Sequence, residues 1–380
     1  MRLAVVIDVW EPLWGGVQVH ILGLSRRLVR DYGCQVDIHT IDFSSEAKVA
    51  YPPVESYDSG RLRIIRAGKP RKFSYLSRLA WTLDVVRSVQ DYHRAAPYHL
   101  IHAHGYLPGL PGKVLSKLLG IPVVFTVHGS NLLDLNQKSP LSLVEYILLT
   151  KIKYDLVISV SQSFLKHPNV NKVVVIPNGV DLAEFQRLAS KFPRPGDQPF
   201  FKMLYVGRLH KLKGLDLLLQ ALAELKEFMR ERKAKLFFVG DGQEENYLKT
   251  LAQKLAIADL VVFTGKILGE GLLEEYLSAD LFILPSLSEG QPLTLLEAGA
   301  ARLPVLATDV GDNRLLVQNG VNGYLIPPGD LGALKEKIVQ ALESNGLKQL
   351  GEAGHQLVKE KYSLEETARQ TFAAYQRVVA

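Results

Sequence analysis

Two carboxylates eight residues apart stand out in the segment PSLSEGQPLTLLEAGAARLPV, residues 285–305. Glu289 lies in a loop beside Gly290, directly after a buried apolar run, and Glu297 lies in the helix that follows. A carboxylate in this position suits hydrogen bonds to two neighbouring hydroxyls, such as those of a ribose. The alternative is that both glutamates are ordinary surface residues.

The helix of Glu297 opens near a proline. Pro292 suits the first turn of a helix, because the N–H that proline lacks has no partner there. The backbone N–H groups of Leu293 and Thr294 have no helical partners either, and helix N-termini of this kind bind phosphate. The segment therefore predicts a site for a phosphate and a polyol.

The segment VGRLHKLKG (206–214) places two cations at a strand–helix turn. Arg208 follows Gly207 at the end of the strand, and Lys213 lies five residues further on. Such a pair can hold a pyrophosphate, since arginine bonds phosphate oxygens bidentately. It can also stabilise the negative charge that develops on a departing diphosphate. A basic surface turn without a ligand is the alternative.

Glycine and histidine mark two strand ends in the first half of the chain. Gly15 and Gly16 open the first helix in LWGGVQVH (13–20), where backbone N–H groups can approach a ligand closely. The pair is not the G-x-G-x-x-G of dinucleotide-binding proteins. His128 ends a buried strand in TVHGS (126–130), where it is either a ligand-binding residue or a satisfied structural one.

The sequence gives little indication of a metal-binding site. His102 and His104 lie two apart in a predicted strand and therefore face the same way, but no third ligand at suitable spacing is near. The single cysteine, Cys34, excludes an intrachain disulfide and a cysteine-rich metal site. We therefore expect no metal and no other cofactor.

These residues follow β-rich runs that alternate with helical stretches. Such alternation, with near-continuous Val and Ile runs, predicts parallel sheets covered on both faces. Ligands of these sheets bind at the carboxyl ends of the strands. The predicted strands span residues 3–9, 35–41, 61–67, 99–104, 122–128, 156–161 and 172–177, then 201–207, 234–240, 260–265, 280–285 and 304–310. The Pro- and Gly-rich stretch FPRPGDQP (192–199) predicts a linker between two domains, and residues 331–380 are predicted to be mostly helical.

The charge is distributed unevenly. Residues 1–195 hold 24 Lys and Arg against 15 Asp and Glu, whereas the whole chain has a net charge of +6. Six of these cations lie between Arg61 and Lys72, which favours an anionic partner such as a membrane surface, although a solvated loop is equally open. The residues that follow at helical spacing are Phe73, Leu76, Ala80 and Leu83, with Trp81 beside them, so this helix either lies on a membrane or packs on its own sheet.

The composition limits the classes of protein to which the chain can belong. The chain has 380 residues, of which 47% are hydrophobic and 22% charged, as in ordinary globular proteins with a sizeable core. No apolar run reaches the ~18 residues of a membrane-spanning helix. The first apolar run ends at Asp8, too early for a signal peptide. We therefore expect a cytoplasmic protein.

The order of these segments resembles that of glycosyltransferase family 4, a group of retaining enzymes with the GT-B fold, over nearly the whole chain. SEGQPLTLLEAGA is similar to the family's E-x7-E signature, and GRLHKLKG resembles its G-R-L-x-x-x-K-G phosphate clamp. VHGS and WGGVQVH resemble its H-G loop and its N-terminal glycine loop. FVGDGQE (238–244), NGVD (178–181) and NGYLIPPGD (322–330) resemble further landmarks.

The resemblance implies roles for the residues of the second half. Arg208 and Lys213 would hold the diphosphate of a nucleotide-sugar donor, without a metal ion. Glu297 would hold the ribose, and Glu289 would contact hydroxyls of the donor sugar.

The remaining roles concern the sugar and the phosphates. His128 would orient the transferred sugar, and Gly15 and Gly16 would bring backbone to the donor phosphate. Where many members have Phe-Gly, this chain has Gln291-Pro292, so the phosphate contacts beside Gly290 would shift to the N–H groups of Leu293 and Thr294. Arg302 stands where a glycine usually ends the helix of the second glutamate.

The expected architecture is α/β, a GT-B fold with two doubly wound Rossmann-like domains facing a central cleft. We expect an acceptor-side domain over residues 1–192, a nucleotide-sugar-binding domain over 193–362, and a helix over 363–380 that packs back on the first domain.

The expected activity is retaining, metal-independent transfer from a nucleoside-diphosphate sugar, a UDP-sugar rather than GDP-mannose, to a glycan or lipid-linked acceptor. An anionic membrane surface on the cytoplasmic side would contact Arg61–Lys72. A sugar-nucleotide epimerase on the same fold and a catalytically silent nucleotide-sugar-binding protein remain open. No nucleic-acid partner is expected, because the other basic residues are scattered and no recognition motif accompanies them.

Overall fold

The chain forms two α/β units. A computed structural model describes residues 1–128, 146–162, 173–192 and 199–379. Unit 1 comprises Met1–Asn178 and Leu364–Ala380, and unit 2 comprises Gly179–Ser363. Each unit is a Rossmann-like domain built on one mostly parallel sheet.

The bounds of the elements follow the predicted alternation. The strands are β1 Arg2–Val6, β2 Gln35–Ile41, β3 Val54–Tyr57, β4 Leu62–Ala67, β5 Leu100–His104, β6 Val123–Val127, β7 Leu156–Ser159, β8 Val173–Val175, β9 Phe201–Val206, β10 Ala234–Val239, β11 Val261–Gly265, β12 Leu281–Leu284, β13 Val305–Thr308 and β14 Gly323–Ile326. The helices are α1 Gly16–Tyr32, α2 Ser44–Ala47, α3 Tyr75–Ala95, α4 Tyr106–Leu119, α5 Leu182–Leu188, α6 Leu215–Glu224, α7 Lys226–Glu231, α8 Glu245–Lys254, α9 Glu270–Leu277, α10 Leu293–Ala300, α11 Asn313–Leu316, α12 Leu331–Glu343, α13 Leu347–Lys361 and α14 Leu364–Val379.

The sheet of unit 1 has eight strands in the order β3-β4-β2-β1-β5-β6-β7-β8, and the edge strand β3 is antiparallel to β4. Successive side chains of β1 enter two different cores, since side chains of a strand point alternately to its two faces. Leu3 and Val5 pack in the core that α1 and α14 share, and Ala4 and Val6 pack in the core that α3 and α4 share. The sheet is therefore covered on both faces.

The sheet of unit 2 has six parallel strands in the order β11-β10-β9-β12-β13-β14. The strand order reverses between β9 and β12, just as it reverses between β1 and β5 in unit 1. Doubly wound sheets bind ligands outside the carboxyl ends of the strands at such a reversal. The topology thus marks one candidate ligand edge in each unit.

The structure divides the chain earlier than the predicted boundary at residue 192. The segment before that residue contains α5, and its Phe185 and Leu188 are buried in the core of unit 2. Burial of these side chains, rather than the Pro- and Gly-rich composition that follows, assigns the segment to unit 2. Residues 193–198 of the predicted linker lie outside the described residues.

Several predicted elements need correction. The periodicity of residues 215–230 predicts one helix, but the structure has two, α6 and α7, with Leu225 between them. The strands β3 and β14 were not predicted; β3, of sequence VESY, is a largely exposed strand without an apolar run, and β14 lies within the motif NGYLIPPGD. The sequence also predicts a helix over residues 141–151, of which 141–145 lie outside the described residues and 146–150 are helical. The C-terminal helix begins at Leu364 and belongs to unit 1, where its Ala368 and Tyr375 are buried.

Candidate functional site

The ligand edge of unit 2 begins where β9 ends. Arg208 follows that strand and its side chain is exposed. The buried Tyr205 donates its hydroxyl to the backbone carbonyl of Arg208 at 2.9 Å and so fixes the backbone that presents the guanidinium. Burial and then the charge of Glu289 raise the pKa of Tyr205 above its usual range, so the hydroxyl remains a donor.

The predicted phosphate cation and the predicted sugar-binding carboxylate are in direct contact. Lys213 donates its Nζ to Oε1 of Glu289 at 2.5 Å, and the hydroxyl of Ser286 donates to the same oxygen at 2.7 Å. Ser286 is fully buried, and its backbone carbonyl accepts the hydroxyl of Thr308 at 2.6 Å. Lys213 and Ser286 therefore fix the orientation of the Glu289 carboxylate, which lies beyond the adjacent ends of β9 and β12.

Two glycines let the backbone segments of this edge approach one another. Gly214 has a φ of +63°, and a Cβ there would lie 2.3 Å from the carbonyl oxygen of Pro285. Gly311 has a φ of +54°, and a Cβ there would lie 2.2 Å from the carbonyl oxygen of Glu289. Both positions require glycine for conformation and for space. The loop of Glu289 is thus held between the turn of Lys213 and the turn after β13.

The helix of the second carboxylate begins one residue later than predicted. Pro292 is the N-cap of α10, with extended backbone, and Leu293 is the first helical residue. The N–H groups of Leu293 and Thr294 lie in the first turn, where a helix offers no acceptors. Gly290 precedes them, and its carbonyl accepts the N–H of Asp312 at 3.0 Å. The first turn of α10 therefore provides the predicted N–H pair.

Glu297 has a partner that the sequence analysis missed. The hydroxyl of the fully buried Tyr276 on α9 donates to Oε2 of Glu297 at 2.7 Å. Burial raises the pKa of the Glu297 carboxyl, and the tyrosine hydrogen bond opposes this rise. One oxygen of Glu297 is thus held by Tyr276, and this hydrogen bond keeps the side chain in a fixed orientation.

In unit 1, Gly15 and Gly16 lie at the start of α1, as predicted. Gly15 is the N-cap and Gly16 is the first helical residue. One turn further, the same helix carries His20, which is buried. The rings of His20 and His128 lie with their centroids 5.2 Å apart in an edge-on arrangement. The glycine turn and His128 therefore belong to one edge of the sheet of unit 1.

Four imidazoles meet at this edge. Nε2 of His128 lies 2.9 Å from Nδ1 of His104, and Nε2 of His104 lies 3.2 Å from Nδ1 of His102. The ring nitrogens of His102 contact the hydroxyl of Tyr375 at 2.5 Å and the hydroxyl of Thr126 at 2.6 Å. His102 and His104 do face the same way, and they bond to histidine, tyrosine and threonine. We call His20, His102, His104 and His128 the imidazole cluster.

The imidazole cluster is neutral. Burial lowers the pKa of His20 to about 4 and that of His102 to about 3, and the neighbouring His20 lowers the latter further. Burial and the adjacent rings hold the pKa of His104 and of His128 well below the usual range. His128 therefore presents a neutral hydrogen-bonding ring at neutral pH.

The residues missed from the sequence have no motif of their own. Tyr276 lies on another helix than Glu297, and Tyr375 lies 273 positions from His102. Ser286 and His20 stood inside quoted motifs, three residues before Glu289 and four after Gly16. In the sequence, only their closeness to Glu289 and to Gly16 could have indicated that they belong to the site.

The basic stretch Arg61–Lys72 is half neutralised by ion pairs. Arg63 bonds Asp37 at 2.6 Å and Arg71 bonds Asp84 at 2.6 Å, while the buried Arg66 pairs with Glu55. Arg61, Lys69 and Lys72 are exposed and have no ion pair among the described residues. The remaining three cations are thus the ones available to an anionic partner.

The described residues show neither a metal site nor a membrane-spanning helix. No group of three or more His, Cys, Asp or Glu side chains in that part of the chain is arranged to hold a metal ion. No helix there is both long and apolar enough to cross a bilayer.

Two family sequence profiles match the chain. The profile described as Glycosyl transferases group 1 matches residues 184–361, and the one described as Glycosyltransferase Family 4 matches residues 14–184. An uncharacterised glycosyltransferase of Methanocaldococcus jannaschii is 28% identical, over 99% of this chain and 98% of that protein. D-inositol 3-phosphate glycosyltransferase 2 of Catenulispora acidiphila is 29% identical, over 96% of this chain and 90% of that protein.

Solved structures share the fold. Sucrose-phosphate synthase from Thermosynechococcus elongatus superposes with a TM-score of 0.85 at 24% identity, covering 99% of this chain and 98% of that chain. Anabaena HepE in complex with UDP and glucose superposes with a TM-score of 0.76 at 20% identity, covering 99% and 100%. The architecture is that of GT-B glycosyltransferases.

Proposed function

Because the chain belongs to glycosyltransferase family 4 and is a transferase enzyme, we propose a specific reaction for it. The enzyme moves a sugar from a nucleoside-diphosphate sugar, a UDP-sugar rather than GDP-mannose, to a glycan or lipid-linked acceptor. The anomeric configuration is retained and no metal ion takes part. The contact between Lys213 and Glu289, 2.5 Å long, carries this proposal, because it joins the predicted phosphate and sugar ligands in one site.

Unit 2 supplies the charge chemistry of the reaction. Arg208 and Lys213 bind the diphosphate of the donor and stabilise the charge that grows on it as the bond to the sugar breaks. Lysine has three N–H donors, so Lys213 can keep Glu289 and still bond a phosphate oxygen. The first-turn N–H groups of Leu293 and Thr294, next to Gly290, add donors without any further cation.

The carboxylates of unit 2 select hydroxyl groups. Glu289 is oriented by Lys213 and Ser286 and accepts hydrogen bonds from the donor sugar. Glu297 is oriented by Tyr276 and accepts the two ribose hydroxyls. A carboxylate held in advance loses less side-chain entropy on binding, which favours affinity.

Unit 1 supplies neutral groups. His128 contacts the transferred sugar through an imidazole that stays uncharged, because burial and its neighbours lower its pKa. Gly15 and Gly16 offer backbone N–H groups at the start of α1 to the donor phosphate.

The comparisons support the donor and the acceptor classes in outline. Solved structures of Anabaena HepE hold UDP and UDP-glucose, which favours uridine as the base here. Several relatives are named D-inositol 3-phosphate glycosyltransferases, and such an acceptor is an anionic polyol. An acceptor that carries a phosphate group, either as a free molecule or linked to a lipid, is consistent with the names of these relatives and with the proposed glycan or lipid-linked acceptor.

A calorimetric binding panel tests the donor assignment. UDP, GDP, ADP, dTDP and NAD are titrated in the presence of a metal chelator into the wild type, Glu297→Ala and the control Glu270→Ala, which changes an exposed glutamate. We expect UDP to bind, at least about tenfold more weakly to Glu297→Ala because charge-assisted hydrogen bonds are lost. Binding of NAD alone, or of no nucleotide, would contradict the proposal.

Product analysis separates the remaining activities. With a UDP-sugar and an acceptor panel that includes inositol 3-phosphate, a retaining transferase forms an α-glycoside from an α-donor, which the anomeric proton signal reports. Release of an epimerised sugar nucleotide without acceptor would identify an epimerase instead. Tight donor binding with no turnover on any acceptor would favour a catalytically silent binding protein.

A further inference from the structure

Helix α3 exposes an apolar face. Its Trp81, Val85 and Val89 point inward and pack on the sheet of unit 1. The sequence predicted that Leu76 and Leu83 either pack on the sheet or meet a membrane, and they do not pack on the sheet. Leu76 is 77% exposed and Leu83 is 66% exposed. The helix therefore has one apolar face inside and a second one in solvent.

The neighbouring helix α4 has the same property. Its Leu115 is fully buried, whereas Leu110, Val114 and Leu118 recur every four residues on the outer side. Leu118 is 57% exposed. Large exposed side chains at helical spacing form a stripe, since residues four apart are neighbours on a helix.

The two stripes lie side by side. The helix α3 precedes β5 and α4 follows it, and both helices pack against each other on the same face of the parallel sheet. Both helices therefore run in the same direction, starting from the edge at which β5 ends. We call the joint surface the α3–α4 face; its residues are Leu76, Leu79, Leu83, Leu110, Val114 and Leu118.

Contiguity distinguishes this surface from the exposed apolar side chains described in unit 2. Unit 2 also exposes large apolar side chains, but Tyr247, Leu268 and Val321 belong to α8 and to two separate loops. Scattered exposed apolar residues are normal, whereas a contiguous apolar patch marks an interaction site.

The charge around the α3–α4 face is positive. Residues 68–119 contain eight Lys and Arg and only two acids, Asp84 and Asp91. Four of these cations are in ion pairs, Arg71 with Asp84, Arg94 with Asp91, Arg78 with Asp8 and Lys113 with Asp155. The other four, Lys69, Lys72, Arg87 and Lys117, have no ion pair among the described residues. Helix α4 contains two lysines and no acid. The cations Lys69, Lys72 and Lys117 are exposed.

We propose that the α3–α4 face is a docking surface for the anionic headgroup layer of a lipid bilayer. Exposed leucines enter the acyl boundary while flanking lysines contact the lipid phosphates, as in helices that lie on membranes. A second copy of the chain fits less well, because a symmetric contact would bring the lysines of both copies together. In this proposal the α3–α4 face, and not the whole stretch Arg61–Lys72, is the membrane contact. Only Lys69 and Lys72 of that stretch take part in it.

The inference does not depend on the sugar donor or on catalysis. If the proposed transfer is correct, docking brings the edge of unit 1 that carries His104 to the bilayer, because α3 and α4 start there. A lipid-linked acceptor then arrives at the surface on which the enzyme already sits.

A vesicle sedimentation experiment tests the leucines. The full chain is mixed with vesicles of phosphatidylcholine and phosphatidylglycerol, and the bound fraction gives a partition coefficient. We expect the triple variant Leu76→Asn/Leu83→Asn/Leu118→Asn to bind at least about tenfold more weakly. The control Leu268→Asn/Val321→Asn removes apolar side chains that are 51% and 55% exposed on unit 2 and is expected to bind as the wild type.

A matched pair of variants tests the lysines. Loss of charge in Lys69→Gln/Lys72→Gln/Lys117→Gln is expected to weaken binding to the anionic vesicles about fivefold per lysine. The control Lys254→Gln/Lys348→Gln/Lys359→Gln loses the same charge from exposed positions of unit 2 and is expected to bind normally. Vesicles of phosphatidylcholine alone should bind the wild type weakly, and added salt should reduce binding to the anionic vesicles.

Three outcomes would overturn the proposal. The first is that the wild type does not sediment with anionic vesicles. The second is that the leucine variant sediments as well as the wild type. The third is that the leucine variant changes the oligomeric state in analytical ultracentrifugation, which would assign the face to self-association. Circular dichroism melting and UDP titration of each variant separate these results from misfolding and from failure of the donor assignment.

Discussion

The two ligand edges are built on similar sheets but carry opposite chemistry. At the edge of unit 2, the charged Lys213 and Glu289 are paired 2.5 Å apart and Arg208 is exposed beside them. At the edge of unit 1, His20, His102 and His104 are buried and His128 is half-buried, and burial lowers the pKa of all four imidazoles. The side chains of unit 2 therefore suit a diphosphate, and the imidazole side chains of unit 1 suit the hydroxyl groups of a sugar.

This difference shows how one architecture separates two tasks. A cation close to solvent keeps its charge at little cost, and it can meet a diphosphate. An imidazole away from solvent loses its charge, because low dielectric surroundings disfavour the ion. A neutral ring can orient a sugar without attracting the phosphates of the same donor.

The largest effect is expected at the cations of unit 2. Replacement Arg208→Ala removes a donor aimed at the diphosphate, where charge grows in the transition state. Turnover should fall by roughly 100- to 1000-fold, which corresponds to about 2.7–4 kcal/mol, with a smaller change in KM. Steady-state kinetics measures both. The control is Lys211→Ala, which changes an exposed cation in the same turn. A fall in turnover of less than about threefold for Arg208→Ala would contradict the assignment of Arg208 to the diphosphate.

The next effect concerns acid stability of unit 1. A histidine in the unfolded chain binds a proton below about pH 6.5, whereas His20 in the native state does so only near pH 4. Between these values the unfolded state holds the extra proton, so the free energy of unfolding falls as the pH falls. The slope is about 1.4 kcal/mol per pH unit for each such group.

Urea unfolding at several pH values between 7 and 4 measures this slope. The variant His20→Gln has no titratable group at that position and should show a shallower loss. An identical slope in the variant, or a stability independent of pH in the wild type, would contradict the neutral state of the cluster.

A smaller effect is expected for the hydrogen bond behind Glu297. Tyr276→Phe removes the hydroxyl that donates to Oε2 of Glu297 at 2.7 Å. The carboxyl then loses the one interaction that lowers its pKa, so its pKa should rise further and donor binding should fail at a higher pH than in the wild type. The affinity for UDP at neutral pH should fall about fivefold.

Calorimetric titration of UDP against pH provides the measurement. Tyr247→Phe, a change at a tyrosine that is 51% exposed on α8, serves as the control. Equal affinity and an equal pH profile for Tyr276→Phe and the wild type would show that Tyr276 does not orient Glu297.

The smallest effect tests the backbone at the end of α10. Arg302 has a φ of +60°, a left-handed conformation that costs a non-glycine residue about 1–2 kcal/mol. Arg302→Gly relieves this strain but increases the entropy of the unfolded chain, and it loses an exposed ion pair with Glu352. We expect a gain in stability of no more than about 1 kcal/mol. Thermal melting measures the change in stability, with Glu352→Gln as the control for the ion pair. A loss of stability of more than about 1 kcal/mol in Arg302→Gly would show that the arginine side chain stabilises the helix end.

The sequence predicted the fold and the outline of the site because both depend on local patterns. Buried runs such as residues 122–128 specify parallel strands through their composition, and β6 is found at Val123–Val127. Glu289 and Lys213 were identified from separate motifs, and their contact follows from the adjacency of β9 and β12. The edge strand β3 was not predicted, since its sequence VESY is largely exposed and contains no apolar run.

Other features could not be read from local patterns. Leu76 and Leu83 share helical spacing whether they face the sheet or the solvent, and only the packing of Trp81 settles which face is buried. The arginines of the stretch Arg61–Lys72 look alike in sequence, yet Arg63 pairs with Asp37 across neighbouring strands. Long-range ion pairs remove charge from a surface that composition alone describes as basic.

The sequence by itself determined the class of fold, the family and the residue types at each strand end, because these follow from periodicity and from motifs within a few residues. Only the tertiary structure decided the partners: Tyr276 for Glu297, Tyr375 and Thr126 for His102, and His20 beside His128. These contacts join residues from different elements, so no local pattern encodes them. They also determine which groups are charged, since the pKa of a side chain depends on burial and on neighbours that the folded chain alone brings together.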